Sequence, residues 1–491
     1  MESKNGRQRR RCPRTHIGLL ATNEECPPQN SATLKERSSM TRTEYPDGPR
    51  MNIPLAILAQ MLPGVFRFDS LAFTLNVSRE YGDIAYYRFG PLHVYHLCHP
   101  DLARQILVEQ SEKYRKPELL KHAFGPFAGE GLLVSEGAVW KRQRKLMQPA
   151  FHHRQLAAYS QVMVTQTLQL LDSFADGQVR EISGEMAELT LNIVAQCLFG
   201  EELPSELPEI RGAMVAMLAA ASRRVNSILR MPRWVPNAGN IREMRALAKM
   251  DEVVRVLIDS RRNSEKQRED LLSVLVAATA GENGGGMSDK QLRDEMLTLF
   301  LAGHETTANA LTWTWFLLSQ HPEVEAKLHE ELDRELGGRA PEVADLAKLP
   351  YTEMVIRESM RLYPPAPAVA REPIEDVTIA GYLVRAGSLL SINTYALQRD
   401  TRFYADPERF DPERFSAGWE ERIPRYAYLP FGGGPRVCIG HAFAMMEARL
   451  ILAMVAERYK LTLEPDQRVQ PMQVITVKPR GPVRMKVEQR A

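Results

Sequence analysis

Residues 431–440 read Phe431-Gly-Gly-Gly-Pro-Arg-Val-Cys-Ile-Gly440, and an apolar helical pattern follows from Ala442 to Tyr459. Glycine and proline keep the first part out of regular structure, so the spacing predicts a loop that delivers Cys438 to a helix start. There the unpaired backbone N–H groups and the positive end of the helix dipole favour a thiolate over a thiol. The glycines let the backbone curl around a flat group and aim amides at the sulfur. A thiolate held this way can ligate haem iron and push electron density toward O–O cleavage. The alternative is a buried, inert cysteine in a glycine turn, the usual state of a lone cysteine.

The rest of the chain narrows the class. Of 491 residues, 44% are apolar and 25% charged, which suits a large core and carries no mark of disorder or fibre. A net charge of +2 gives little reason to expect a nucleic-acid partner. The five cysteines, Cys12, Cys26, Cys98, Cys197 and Cys438, are odd in number and lack paired spacing. They indicate neither a disulfide framework nor a zinc site and fit a reducing, cytoplasmic setting. No apolar run has a transmembrane helix's length, and the nearest, Ile53 to Phe66, is broken by Gln60 and Pro63. The Arg-rich start shares its stretch with Glu24, Glu25 and Glu36, which argues against a transit peptide. Residues 1–50 therefore read as a polar, disordered extension, with Met40 as an alternative start, and residues 51–491 as one folded domain.

Short β-type runs, Ile84–Phe89 and Val94–Leu97, are separated by Gly90-Pro91, whereas nearly everything between Gln155 and Asp333 has helical spacing. Ser288-Asp-Lys-Gln291 forms a capping-box pattern that opens a helix running to about Gln320, where His321-Pro322 ends it. In its middle lies Ala302-Gly-His-Glu-Thr-Thr307. Gly303 costs roughly 1 kcal/mol there relative to Ala, which is best tolerated where something must approach closely. Thr306 can bond back to the carbonyl four residues earlier and bend the helix. Beside it, Glu305 can hold a water and pass protons. Glu358 and Arg361, three apart on a helix from about Leu349 that stops before Pro364-Pro365, share one face. Trp140 and Arg144, four apart, also share a face, and both could reach a carboxylate of a bound cofactor.

Phe431, Gly432, Gly434, Arg436, Cys438 and Gly440 together resemble the signature of the cytochrome P-450 superfamily, in its soluble bacterial form, and the resemblance extends over about Met51 to Ala491. It implies a mainly α fold with a small β subdomain and a long central helix over haem b, with Cys438 as the axial ligand. By the same resemblance Glu305 and Thr306 deliver protons to bound dioxygen, while Trp140, Arg144, Arg371 and Arg436 meet the haem propionates. Glu358 and Arg361 join Arg414 of Pro412-Glu-Arg-Phe415 in a buried network holding the cysteine loop. A second copy, Pro407-Glu-Arg-Phe410, lies five residues earlier and competes for that register.

No flavin or nicotinamide fingerprint is present, so NAD(P)H electrons must come through a separate partner. An acidic ferredoxin or flavodoxin docking at Lys141, Arg142 and Lys145 is the expectation, on a monomer. Apolar pocket candidates are Leu301, Ala302, Ala368, Val369 and the stretch Phe124 to Phe127, which suit a fatty acid, a terpenoid or a steroid. The rivals are a haem-thiolate enzyme that uses peroxide, isomerises or dehydrates, and a non-enzymatic haem or gas sensor. Glu305-Thr306 argues against the first, and no output domain is visible for the second.

Overall fold

The computed structural model describes residues 45–50, 69–200, 207–226, 235, 237–264, 270–279 and 287–490. The polar extension, the order boundary at Met51 and the glycine stretch 281–286 lie almost wholly outside these residues.

The helices that shape the site are α1 (Glu118–Ala128), α2 (Gly137–Met147), α3 (Ile182–Phe199), α4 (Asp289–Gln320), α5 (Pro350–Leu362) and α6 (His441–Arg458). The capping box at the start of α4 is complete, with Ser288 and Gln291 each bonding the other's backbone N–H. From there α4 runs 32 residues to the His321 cap, the length its pattern predicts. It threads the core, with Leu292, Met296, Leu297, Phe300 and Leu311 fully buried, and packs most extensively on α3. Gly303 sits at that contact: a Cβ there would lie 3.0 Å from Val194 Cγ2 of α3. The close approach expected at this glycine is therefore helix against helix.

The small sheet joins strands remote in sequence. Its order is β1 (Ile84–Phe89), β2 (Leu92–Leu97), β5 (Leu389–Ile392), β4 (Val369–Pro373) and β3 (Tyr114–Arg115). β2 and β5 are parallel, with Val94 opposite Leu389, and the other pairs are antiparallel. The register puts Arg371 opposite Leu390 and places the β3–α1 junction beside β4. A mainly α body with small sheets is the resulting fold. No described helix is long and apolar enough to cross a membrane.

Candidate active site

Cys438 lies two residues before Gly440, the N-cap of α6, and its backbone N–H donates to Phe431 O at 3.0 Å, closing the loop. Gly434 makes this loop possible: φ is +68°, and a Cβ would fall 1.8 Å from Leu107 O. Phe431 stacks on His441 at 4.1 Å between centroids. The thiol is exposed by surface area, yet burial among protein atoms pushes its pKa up. That combination belongs to a side chain lining an internal recess. The Gly440 N–H and the Arg144 guanidinium pull the other way, as the helix-start argument requires, but burial outweighs them.

The cysteine loop, β4 and the residue after β3 bring three cations, Arg436, Arg371 and Lys116, to one place. Arg436 pairs with Glu136 at 2.7 Å and stacks over Trp140 at 5.3 Å from the ring centroid. Lys116 Nζ lies 5.9 Å over the same ring and donates to Leu132 O and Ser135 O. Arg371 is buried, donates to Ala370 O at 2.8 Å, and pairs with no carboxylate among the described residues. Burial first, then Arg436, lowers its pKa to about 10. Lys116, which also feels Arg436 and Arg371, is pushed down to about 8, mainly by burial. Arg436 and Lys116 thus meet Glu136, with Glu295 also acting on Lys116, while Arg371 is left buried with no carboxylate partner among the described residues. This donor set fits a dianionic cofactor such as haem with its two propionates. Arg144 sits apart from the group, donating to Val437 O at 2.7 Å beside the cysteine.

On α4, Thr306 Oγ1 donates to Ala302 O at 2.9 Å, the back-bond its position predicts. Glu305 Oε1 accepts from Thr476 Oγ1 at 3.1 Å, while Oε2 is buried without a partner among the described residues. Burial pushes this carboxyl above the usual range, against Lys478 and Thr476. His304 is buried, its Nδ1 2.9 Å from Phe300 O, and burial lowers its pKa to about 4, so it is a neutral packing residue. Between Gln291 and Ser319, Ala302 is the one exposed position. Leu301 is buried in the core, Ala368 and Val369 are half-buried, and Val369 Cγ2 lies 3.8 Å from where a Gly432 Cβ would be.

Beneath the loop, Glu358 and Arg361 of α5 are both fully buried. Arg361 meets Glu358 through Nε at 2.6 Å and Nη2 at 2.8 Å, and donates further to Gln398 O, Pro407 O and Arg409 O. Arg414 Nε reaches Glu358 Oε1 at 3.3 Å, whereas Arg409 of the earlier copy meets the network through its carbonyl. On α2, Lys141 and Lys145 are exposed, while Arg142 turns to α4 and donates to Gln291 Oε1 at 3.1 Å.

Lys116, Glu136 and Thr476 were not foreseen. Glu136 and Lys116 gain meaning only through contacts with residues 300 and more positions away, and Thr476 meets Glu305 across 171 residues. No local pattern marks them.

A cytochrome P450 family model matches residues 46–487. The chain is 38% identical to cyclooctatin synthase of Streptomyces melanosporofaciens, over 84% of this chain and 89% of that protein. It is 35% identical to pentalenene oxygenase of Streptomyces avermitilis, over 81% and 88%. A chloroplastic carotene epsilon-monooxygenase of Arabidopsis thaliana is 30% identical, over 93% and 88%.

Proposed function

Because the chain belongs to the cytochrome P450 family and is a haem-thiolate monooxygenase, we propose that it inserts one atom of dioxygen into a terpenoid, with Cys438 as the sulfur ligand. The observation that carries the site assignment is the open thiol in the 431–440 loop together with a buried arginine, Arg371, that has no carboxylate partner among the described residues. Haem b, when bound, supplies dioxygen binding and O–O cleavage, and a separate redox partner supplies the electrons.

The chain's own groups then have distinct tasks. Gly440 N–H and Arg144 favour charge on the Cys438 sulfur. Arg371 and Lys116, with Arg436 and Trp140, seat the propionates. The Thr306 hydroxyl, anchored on Ala302 O, presents its oxygen at the recess, and Glu305, held neutral more readily by burial, is poised to give up and regain a proton at Oε2. Glu358, Arg361 and Arg414 hold the segments before the cysteine loop. Lys141 and Lys145 offer the exposed charge for an acidic ferredoxin or flavodoxin, acting on a cytoplasmic monomer.

A terpenoid is preferred to a fatty acid or steroid because pentalenene and carotene stand in the relatives' names, and because Ala302, Ala368 and Val369 offer no polar group. The test is the spectrum of the dithionite-reduced, carbon-monoxide-bound protein beside Cys438→Ser, followed by titration with pentalenene. A strongly red-shifted Soret band lost in the variant, then a high-spin shift with the terpene, is expected. A histidine-type carbonyl spectrum in folded, haem-loaded wild type overturns the ligand assignment. A high-spin shift with palmitate but none with pentalenene overturns the substrate class.

A further inference from the structure

Three consecutive residues of α4 each hold a different backbone group at the end of α1 or in the segment that follows it. Arg293 Nη1 donates to Phe127 O at 2.9 Å, Asp294 Oδ2 accepts from Glu130 N at 3.0 Å, and Glu295 Oε2 accepts from Leu132 N at 2.9 Å. Leu132 is held through its other backbone group as well: Lys116 Nζ donates to Leu132 O at 2.7 Å and to Ser135 O at 2.9 Å. Gln143 adds a bond to Glu130 O. The segment lies so close to α4 that a Cβ on Gly131 would stand 2.1 Å from Thr298 Oγ1. Phe124 and Phe127, edge to face at 6.1 Å, ride on the helix whose end is fixed this way.

We propose that Glu295 and Lys116 are positioning residues that hold Leu132 by its N–H and its carbonyl and so fix the end of α1, with its buried Phe124 and Phe127, against the proposed cofactor seat. The assignment rests on the monooxygenase reading only for what that seat holds. Glu295 is fully buried, its Oε1 has no partner among the described residues, and burial pushes its carboxyl up to about 7, against the Leu132 N–H and Lys116. A buried acid kept at that cost to pack the core would serve better as an apolar side chain. Its retention matches a positional task, and the Lys116 of the clamp is the same residue that faces the Arg371–Arg436 group. The end of α1 is thereby tied to the proposed cofactor seat.

The test is hydrogen exchange of residues 129–135 in the haem-loaded wild type, Glu295→Leu and Glu295→Gln. Loss of a bond to a charged acceptor should speed exchange at Leu132 by about tenfold or more in the leucine variant. Glutamine, which keeps an acceptor oxygen, should restore most of the protection. Faster exchange confined to residues 129–135, with protection elsewhere at the wild-type level, separates positioning from a general loss of stability. Unchanged exchange at Leu132 in a folded Glu295→Leu protein overturns the clamp, and so does failure of that variant to fold while Lys116→Met folds with wild-type exchange at Leu132. The carbon-monoxide spectrum, read on the same samples, reports the thiolate reading separately, so either can fail alone.

Discussion

Replacing Glu358 by Gln removes one charge from a fully buried pair while keeping its shape. Wild-type Oε1 accepts from Arg361 Nη2 at 2.8 Å, Asp411 N at 2.9 Å and Arg414 Nε at 3.3 Å, and Oε2 accepts from Arg361 Nε at 2.6 Å. Glutamine leaves one acceptor oxygen and turns an NH2 group toward a guanidinium. Arg361, with no exposed surface, then loses the opposing charge and one of its two bonds to residue 358, keeping the amide oxygen and its three backbone carbonyls. Breaking such a pair from one side costs about 3–5 kcal/mol. With an unfolding entropy of about 2.1 cal/mol/K per residue over the matched region, 1 kcal/mol corresponds to about 1 °C, so Tm should fall by about 3–5 °C. Because Arg361 holds the Pro407 and Arg409 carbonyls ahead of the cysteine loop, the thiolate-type carbonyl band should also convert faster to the histidine-type form on warming. Calorimetry at one scan rate, with parallel spectra, reads both quantities. A Tm within 1 °C of wild type, with the band equally durable, would refute the assignment of this network as the loop's support.

Gly434→Ala imposes a φ of +68° on a side chain that also meets Leu107 O, so haem-thiolate content per protein should drop, with at least about 1–2 kcal/mol lost to backbone strain alone. Gly337→Ala, at a φ of +56° with the nearest contact at 4.0 Å, is the control that should retain its haem. His304, held down to about 4 by burial, is neutral in the fold, so its contribution is complete above the ordinary value of 6.5 and is lost as pH falls through 4. Urea unfolding at pH 7.5 and pH 5 should therefore show about 2 kcal/mol less acid loss in His304→Gln than in wild type; equal losses would remove His304 from the acid response. Lys141→Glu with Lys145→Glu should slow reduction by an acidic electron donor at low ionic strength and match wild type near 1 M salt, where the Debye length is about 3 Å. A salt-independent difference would point away from electrostatic docking.

The central helix was legible to the residue because its start is a local bond pattern, Ser288 with Gln291, and its end is a His-Pro pair. The turn of the cysteine loop was legible because Gly432 and Gly434 answer a backbone demand: both have positive φ, and a Cβ on Gly434 would strike Leu107 O. Helix Glu118–Ala128 was not read as a helix: Gly125 and Pro126 interrupt its pattern, and its end is held by α4 instead. Arg436, expected at a propionate, carries a bidentate bond to Glu136, whose place beside it follows from folding and not from spacing. The expected thiolate at Cys438 omitted desolvation, which no sequence motif states.

Between Gln291 and Ser319 of α4, Ala302 stands alone in being exposed rather than packed among neighbouring side chains. In the proposed pocket, a larger residue there would subtract volume without displacing a packed atom of the core. Capacity and stability would then be governed by separate residues along one helix, and the range of molecules admitted could drift through this position while the scaffold stays unchanged.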